Sequence, residues 1–208
     1  MQHSKHTHAH TYLALGDSYT IGEGVSYEDC FPVQLVRLLN HTKKFDPPLI
    51  IAKTGWTTDE LIDAIAKQNI KTTFDWVTLL IGVNNQYRGR DTSNFRKEFT
   101  ELLATAKKFA ANKPERVIVI SIPDWSVTPF ALNSEKDKAQ LSKEIDLFNS
   151  ISKWVAEQQS IAFIDITQPS RDAAKHSTLL ANDGLHPSGK MYAEWAKKIS
   201  ETILIKLK

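Results

Sequence analysis

Three residues of the sequence have side chains that together can carry out nucleophilic catalysis. Ser18 follows a short apolar run, and Asp183 and His186 lie three residues apart before the last helical segment. A serine hydroxyl becomes a good nucleophile when an imidazole accepts its proton, and the imidazole works best when a carboxylate fixes its tautomer. The sequence therefore predicts a triad for acyl transfer, in which Ser18 is the nucleophile, His186 the base and Asp183 its orienting partner.

An acyl-transfer site also needs hydrogen-bond donors for the oxyanion that develops on the substrate carbonyl. Backbone N–H groups at glycine turns and side-chain amides are suitable donors. The sequence offers the backbone of Ser18 and of Gly55, and the amide of Asn84. Each of these residues alone is more typical of a turn, a helix cap or a loop hydrogen bond, so the prediction depends on their combination and order.

Five short apolar runs alternate with longer segments of helical periodicity, and these elements must position the candidate residues. The runs are mostly apolar rather than alternating, which is typical of strands covered on both faces of a parallel sheet. The predicted strands are residues 12–15, 49–52, 76–81, 117–122 and 161–166, and the predicted helices are residues 32–40, 58–70, 94–111, 134–158 and 189–207. This alternation predicts an α/β fold, a three-layer α/β/α sandwich around a five-stranded parallel sheet.

The predicted topology places the candidate residues in loops. In open parallel sheets, ligands bind outside the carboxyl ends of the strands. Ser18 follows the first predicted strand, Gly55 the second and Asn84 the third, while Asp183 and His186 lie just before the last helix. The loops at one edge of the sheet are therefore the expected location of the site.

The same residues form four motifs that resemble the blocks of the SGNH hydrolases, also called GDSL esterases and lipases. The motifs are Gly-Asp-Ser at 16–18, Gly55, Gly-x-Asn at 82–84 and Asp-x-x-His at 183–186. The family's four name-giving residues map onto Ser18, Gly55, Asn84 and His186. The resemblance extends from about Tyr12 to the last helix. It implies a flavodoxin-like sandwich, hydrolysis of esters or thioesters, and no cofactor.

Three neighbours of the motif residues differ from the family pattern, and one of them is Trp56, which follows Gly55 where a small or polar residue is common. Tyr19 stands where the family name has leucine, a position that varies. Asn85 stands where many members carry aspartate after the oxyanion asparagine. Any role that needs a negative charge at position 85 is therefore lost.

Aromatic residues near the predicted site are candidates for a substrate pocket. The candidates are Trp56, Tyr87, Trp125 and Phe130. We interpret them either as an apolar slot for the acyl group or as packing between loops. Arg88 and Arg90 follow the Asn84 loop and are interpreted either as contacts for an anionic head group or as solvated surface residues.

The expected substrate is a small-molecule carboxylic ester or thioester with a short acyl chain. A lysophospholipase and an acyltransferase would use the same triad, and the residues do not separate these two alternatives from a short-chain esterase. A flavodoxin-type nucleotide binder shares the topology, and Gly16, Gly22 and Gly24 superficially suggest a phosphate loop. The chain lacks both Gly-x-Gly-x-x-Gly and Gly-Lys-Ser/Thr, which disfavours nucleotide binding.

Length and composition predict one globular domain, assigned to residues 11–208. The 208 residues are 41% hydrophobic and 24% charged, and the 26 basic and 24 acidic side chains give no basic field for a nucleic acid. No run approaches the roughly 18 apolar residues needed to cross a bilayer. A secretory signal is not recognised, so a cytoplasmic location is expected. The single Cys30 excludes an internal disulfide and a thiolate zinc site.

Four of the seven histidines lie in the first ten residues: His3, His6, His8 and His10. Imidazoles at close spacing in a tail can bind nickel, copper or zinc, so a metal-binding protein is a hypothesis of a different class. We interpret residues 1–10 instead as a flexible, His-rich tail without a catalytic metal.

Overall fold

A computed structural model describes residues 8–207, which form five strands and eight α-helices within that range. The strands are β1 (Tyr12–Gly16), β2 (Leu49–Ala52), β3 (Trp76–Leu80), β4 (Val117–Ile120) and β5 (Ala162–Ile164). The helices are α1 (Ser18–Ile21), α2 (Phe31–Leu39), α3 (Thr58–Gln68), α4 (Val83–Tyr87), α5 (Thr92–Phe109), α6 (Lys138–Gln158), α7 (Thr167–Ser170) and α8 (Gly189–Lys206). Between β4 and α6 the chain forms two 3-10 turns, Trp125–Val127 and Pro129–Asn133.

The five strands form one parallel sheet in the order β2-β1-β3-β4-β5. Every residue of β1, β3 and β4 is buried, whereas the edge strands β2 and β5 are partly exposed. Helix α2 packs against α8, and α5 packs against α3 and α6. Because the apolar strands are covered on both faces, the predicted three-layer, flavodoxin-like sandwich is confirmed.

The order of the strands creates a switch point between β1 and β3. The chain passes from β1 to β2 on one side and returns to β3 on the other, which opens a crevice at the carboxyl ends of β1 and β3. β1 ends at Gly16, where a Cβ would collide with the carbonyl oxygen of Leu80 and the hydroxyl of Thr20. Only glycine therefore lets the chain turn from β1 into α1 so close to β3.

Several predicted elements are shorter in the structure, and the fifth predicted strand, residues 161–166, is reduced to Ala162–Ile164. Two of the differences have local reasons. The fourth predicted strand ends at Ile120, because the N–H of Ile122 donates to the Asn149 side chain of α6 at 2.8 Å instead of to a strand. The long predicted helix begins at Lys138, because the Asp137 side chain accepts a hydrogen bond from the first turn and caps the helix.

The N-terminal histidines fall partly within the described residues. The backbone of His10 pairs with Phe45 in a parallel bridge, and its Nδ1 lies 3.7 Å from the Asp75 carboxylate. His3 and His6 of the metal hypothesis lie outside the described residues. Across residues 8–207, no group of three or more His, Cys, Asp or Glu side chains is arranged to hold a metal ion. No helix in the same range combines the length and apolar character required to cross a membrane.

Candidate active site

The predicted nucleophile lies at the start of α1, directly after β1. Asp17 caps this helix, and its Oδ1 accepts a hydrogen bond from the N–H of Tyr19 at 3.1 Å. Ser18 occupies the first helical position and is 4% exposed. The first N–H groups of a helix have no acceptor within the helix, so the N–H of Ser18 is available to bind an anion.

The predicted base and its partner lie in one turn before α8. Nδ1 of His186 is 2.6 Å from Oδ2 of Asp183. The other carboxylate oxygen accepts the N–H groups of Leu185 at 2.9 Å and of His186 at 3.0 Å. The spacing of three residues thus lets one carboxylate hold both the backbone turn and the ring. With the Nδ1 proton directed at the carboxylate, Nε2 keeps its lone pair and can accept a proton.

The environment of Asp183 favours its charged form. Its side chain is partly buried, and desolvation alone would raise the pKa. The hydrogen bonds from the His186 ring and from two backbone N–H groups outweigh this effect and lower the pKa of Asp183 below its ordinary value. A carboxylate that stays ionised can stabilise the imidazolium formed when His186 takes a proton.

Two of the predicted oxyanion donors lie on helix α4 and on the loop between β2 and α3, and two hydrogen bonds join this helix to this loop. Nδ2 of Asn84 donates to the carbonyl of Trp56 at 2.9 Å, which uses one of its two amide hydrogens and leaves the other for a ligand. At the far end of α4, Nη2 of Arg88 donates to the carbonyl of Gly55 at 2.6 Å. Gly55 has a φ of +85°, a left-handed conformation that favours glycine. These contacts fix the backbone around the predicted Gly55 donor.

Asn85 joins the same helix to the start of α3. Its Oδ1 accepts from the N–H of Thr58 at 3.1 Å, and its Nδ2 donates to the hydroxyl of Thr58 at 2.7 Å. The Thr58 hydroxyl also bonds to Glu98, and Asn85 is fully buried. An amide can donate and accept at once, whereas an aspartate can only accept, so asparagine suits this buried contact.

Ser18, Asn84 and His186 line one pocket of about 130 Å³. Nδ1 of His186 is hydrogen-bonded to Asp183. Within residues 8–207, the His186 ring makes no hydrogen bond to Ser18. Catalytic hydrogen bonds are often long in a free enzyme and shorten when substrate binds. The structure thus brings together the predicted nucleophile, base and amide donor, with the pair formed by His186 and Asp183 already in place.

Three of the four aromatic pocket candidates lie in the wall of this pocket. The ring centroids of Tyr87, Trp125 and Phe130 are 5.6 to 6.2 Å apart, so the three rings pack against one another. Trp56, the fourth candidate, packs against the hydrophobic core, and its backbone carbonyl accepts the hydrogen bond from Asn84.

The two arginines that follow the Asn84 loop are both paired with acidic residues of α3. Arg88 lies 3.3 Å from the Glu60 carboxylate, and Arg90 lies 3.1 Å from that of Asp59. An anionic head group would need unpaired positive charge, and these ion pairs already offset the charge of both arginines. The structure therefore gives no support to the interpretation of Arg88 and Arg90 as a head-group site.

Asp17 is a feature that sequence reasoning missed. Its carboxyl group is fully buried, and its Oδ2 has no hydrogen-bond partner among the described residues. Burial, only partly offset by the hydrogen bond from the Tyr19 N–H, raises the pKa of Asp17 to about 7. Its position in the Gly-Asp-Ser motif marked the residue, but no pattern in the sequence marked its burial.

Solved structures of similar fold include several esterases. A mutant of Axe2, an acetyl-xylooligosaccharide esterase from Geobacillus, superposes with a TM-score of 0.72 at 18% identity, over 95% of this chain and 96% of that one. A lipase/acylhydrolase from Enterococcus faecalis has a TM-score of 0.71 at 20% identity, over 93% and 95% of the two chains. The esterase EstA from Pseudoalteromonas has a TM-score of 0.68 at 19% identity, over 95% and 98%. At these identities the likeness shows the fold alone.

A flavodoxin-like sandwich with serine, asparagine and histidine in one pocket at its switch point defines a hydrolase of the SGNH class. Residues 14–194 match the sequence profile of the GDSL-like lipase/acylhydrolase family, and the chain belongs to that family. It is a carboxylic ester hydrolase. No protein of curated function matches the sequence at a significant level.

Proposed function

We propose that the protein hydrolyses carboxylic esters of short acyl chains through Ser18, His186 and Asp183. The observation that carries the proposal is the hydrogen bond of 2.6 Å between His186 and Asp183, made at the edge of the pocket that Ser18 and Asn84 also line. A serine, a histidine held by a carboxylate and an amide donor around one cavity are the groups that acyl transfer requires.

The first half of the reaction forms an acyl-enzyme. Nε2 of His186 accepts the proton of the Ser18 hydroxyl while the oxygen attacks the ester carbonyl carbon. The N–H groups of Ser18 and Gly55 and the free hydrogen of the Asn84 amide bind the oxyanion. When the tetrahedral intermediate collapses, the C–O bond to the alcohol breaks and His186 returns the proton to the departing alcohol.

The second half releases the acid. His186 takes a proton from water, the resulting hydroxide attacks the acyl carbon, and collapse of the second tetrahedral intermediate returns a proton to Ser18. Asp183 stays charged throughout and stabilises the imidazolium in both halves. The reaction therefore needs water as its only co-substrate.

The size and lining of the pocket favour a short acyl chain. Its volume of about 130 Å³ lies below the roughly 300 Å³ at which pockets for drug-sized ligands begin. Val83, Leu185 and the three aromatic rings supply its apolar surface. An acetyl-sized group can bury its carbons there, whereas a longer chain has to leave the pocket.

The nucleophile is tested with a fluorophosphonate label followed by peptide mass mapping. We expect the label on Ser18 and a loss of at least about 10⁴-fold in kcat for p-nitrophenyl acetate in Ser18→Ala. Ser150→Ala, which changes an exposed serine on α6, is the matched control and is expected to behave as wild type. A label on another residue, or Ser18→Ala with nearly full activity, would refute the assignment. Hydrolysis of p-nitrophenyl octanoate faster than the acetate would refute the short chain.

The side-chain oxyanion donor is tested by Asn84→Ala. We expect kcat to fall by roughly 10² to 10³, the usual loss for one oxyanion donor, with a much smaller change in KM. The change also removes the hydrogen bond to Trp56, so thermal unfolding is measured alongside. An activity loss below about threefold in a folded variant would mean that Asn84 does not contact the oxyanion.

A further inference from the structure

A second cavity adjoins the catalytic pocket. It has a volume of about 340 Å³, and we call it the outer chamber. Tyr87, Trp125 and Phe130 line both this chamber and the catalytic pocket, so the two spaces border the same three rings. The polar part of its lining is formed by Gln86, Asn133, Ser134, Glu135 and Lys136.

A network of buried and paired polar groups holds the wall of the outer chamber. Gln86 is 1% exposed, accepts a hydrogen bond from Nε1 of Trp125 at 2.8 Å and donates to Glu144 at 2.8 Å. The Glu144 carboxylate in turn lies 2.8 Å from the ammonium group of Lys136. Because Gln86 has a partner for both its oxygen and its nitrogen, the aromatic wall and the polar wall are tied together in a preformed site.

The chemistry of the lining selects the occupant. One side offers aromatic faces, and the other offers the amide of Asn133, the hydroxyl of Ser134 and the carboxylate of Glu135. An alkyl chain would take these polar groups out of water without giving them hydrogen bonds, which is unfavourable. An anion would meet Glu135 and a Lys136 that Glu144 already neutralises. An uncharged ring that carries several hydroxyl groups satisfies both sides.

We propose that the outer chamber binds the alcohol portion of the ester, and that this alcohol is an uncharged, polyhydroxylated ring of the sugar type. The inference rests on the proposed hydrolysis at Ser18, because the acyl group occupies the small apolar pocket and the alcohol crosses the aromatic rings into the chamber. The same enzyme is then selective for the leaving group as well as for the acyl chain.

The test compares two tryptophan variants on neighbouring residues. Asn133→Trp fills the outer chamber, and Leu132→Trp places the same ring at an exposed position outside its lining, so it serves as the control. Acid release is followed by pH-stat with a glucopyranoside monoacetate, ethyl acetate, acetylcholine and ethyl octanoate. We expect Asn133→Trp to lower the ratio of kcat/KM for the sugar ester to that for ethyl acetate by about tenfold or more. Leu132→Trp is expected to leave this ratio unchanged.

The four esters distinguish the ways in which the inference can fail. An unchanged ratio in Asn133→Trp would refute binding of the alcohol in the outer chamber. A selective loss with acetylcholine would instead identify a site for a cation beside aromatic rings. A selective loss with ethyl octanoate would identify an acyl-chain site. Wild-type protein that releases acid from none of the esters would contradict the proposed function itself, whatever the outer chamber binds.

Discussion

The two loops that carry the predicted nucleophile and base each contain an aspartate, and the two carboxyl groups lie in opposite environments. In the serine loop, residues 16–24, Asp17 is fully buried, and one of its oxygens has no partner among the described residues. In the histidine loop, residues 181–187, the side chain of Asp183 is 37% exposed and accepts three hydrogen bonds. Burial raises the pKa of Asp17 to about 7, whereas hydrogen bonds lower the pKa of Asp183.

This difference favours different roles for the two carboxyl groups. A triad needs a carboxylate that is charged and fixed by donors, which describes Asp183. A charge on Asp17 next to Ser18 would oppose the oxyanion, and burial disfavours that charge. Asp17 therefore serves as a helix cap in the serine loop, whereas Asp183 suits the proposed role of orienting the base in the histidine loop.

The largest effect is expected from the histidine loop. Asp183→Asn should lower kcat for p-nitrophenyl acetate by about 10⁴, because an amide is uncharged and no longer fixes the Nδ1 tautomer of His186. Activity and thermal unfolding are measured at pH 7, and Asp17→Asn provides the matched change in the other loop. If Asp17→Asn loses as much activity as Asp183→Asn, the two aspartates do not have separate roles.

A smaller effect is expected where the two loops touch. The ring of Tyr19, in the serine loop, lies 5.5 Å from the ring of His186 in an edge-on arrangement and is 3% exposed. Tyr19→Leu removes an aromatic contact worth about 0.5 to 1.5 kcal/mol. We propose that this contact positions His186 as the base, and we therefore expect a loss of up to about tenfold in kcat, with little change in KM.

Tyr19→Phe distinguishes this positioning role from a requirement for the hydroxyl. It keeps the ring that packs against His186, so we expect it to retain the wild-type kcat. An equal loss in the Phe and Leu variants would assign the effect to the hydroxyl. Wild-type kcat in a folded Tyr19→Leu would show that the histidine loop holds His186 without help from the serine loop.

The features that could be predicted from the sequence are those set by neighbours in the chain. The strands follow from short apolar runs, and the turn that joins Asp183 to His186 follows from a spacing of three residues. Ser18 could be placed just beyond the end of β1 because it follows a short apolar run. Such local signals predict which residues face the switch point of the sheet.

The features that could not be predicted depend on contacts between distant segments. Trp56 packs against a core built from many segments, and its backbone is held by Asn84 of α4, which lies 28 residues away. The outer chamber depends on Gln86 and Glu144, which lie 58 residues apart. The buried state of Asp17 likewise has no counterpart in its neighbours. Substrate selectivity therefore has to be inferred from packing, whereas the candidate catalytic groups can be proposed from motifs.

The smallest effect on activity is expected from Asp17→Asn. For this variant the informative measurement is the free energy of unfolding as a function of pH. Because the pKa of Asp17 is raised to about 7 in the folded protein, the fold holds a proton that the unfolded chain releases above about pH 4. This contribution is fully present below about pH 4 and is lost as the pH rises from there through 7. A difference of about three pKa units corresponds to at most about 4 kcal/mol of unfolding free energy.

The asparagine side chain of this variant is uncharged at every pH, and its oxygen can still accept the N–H of Tyr19. We therefore expect urea unfolding to show that the stability of wild type falls relative to that of Asp17→Asn between pH 5 and pH 8. The measured quantity is the difference between the two free energies of unfolding. At pH 8, kcat should stay within about threefold of wild type, because the group only caps the helix. Parallel stability profiles for the two proteins would mean that Asp17 is ionised in the fold, and the contrast between the two loops would then be lost.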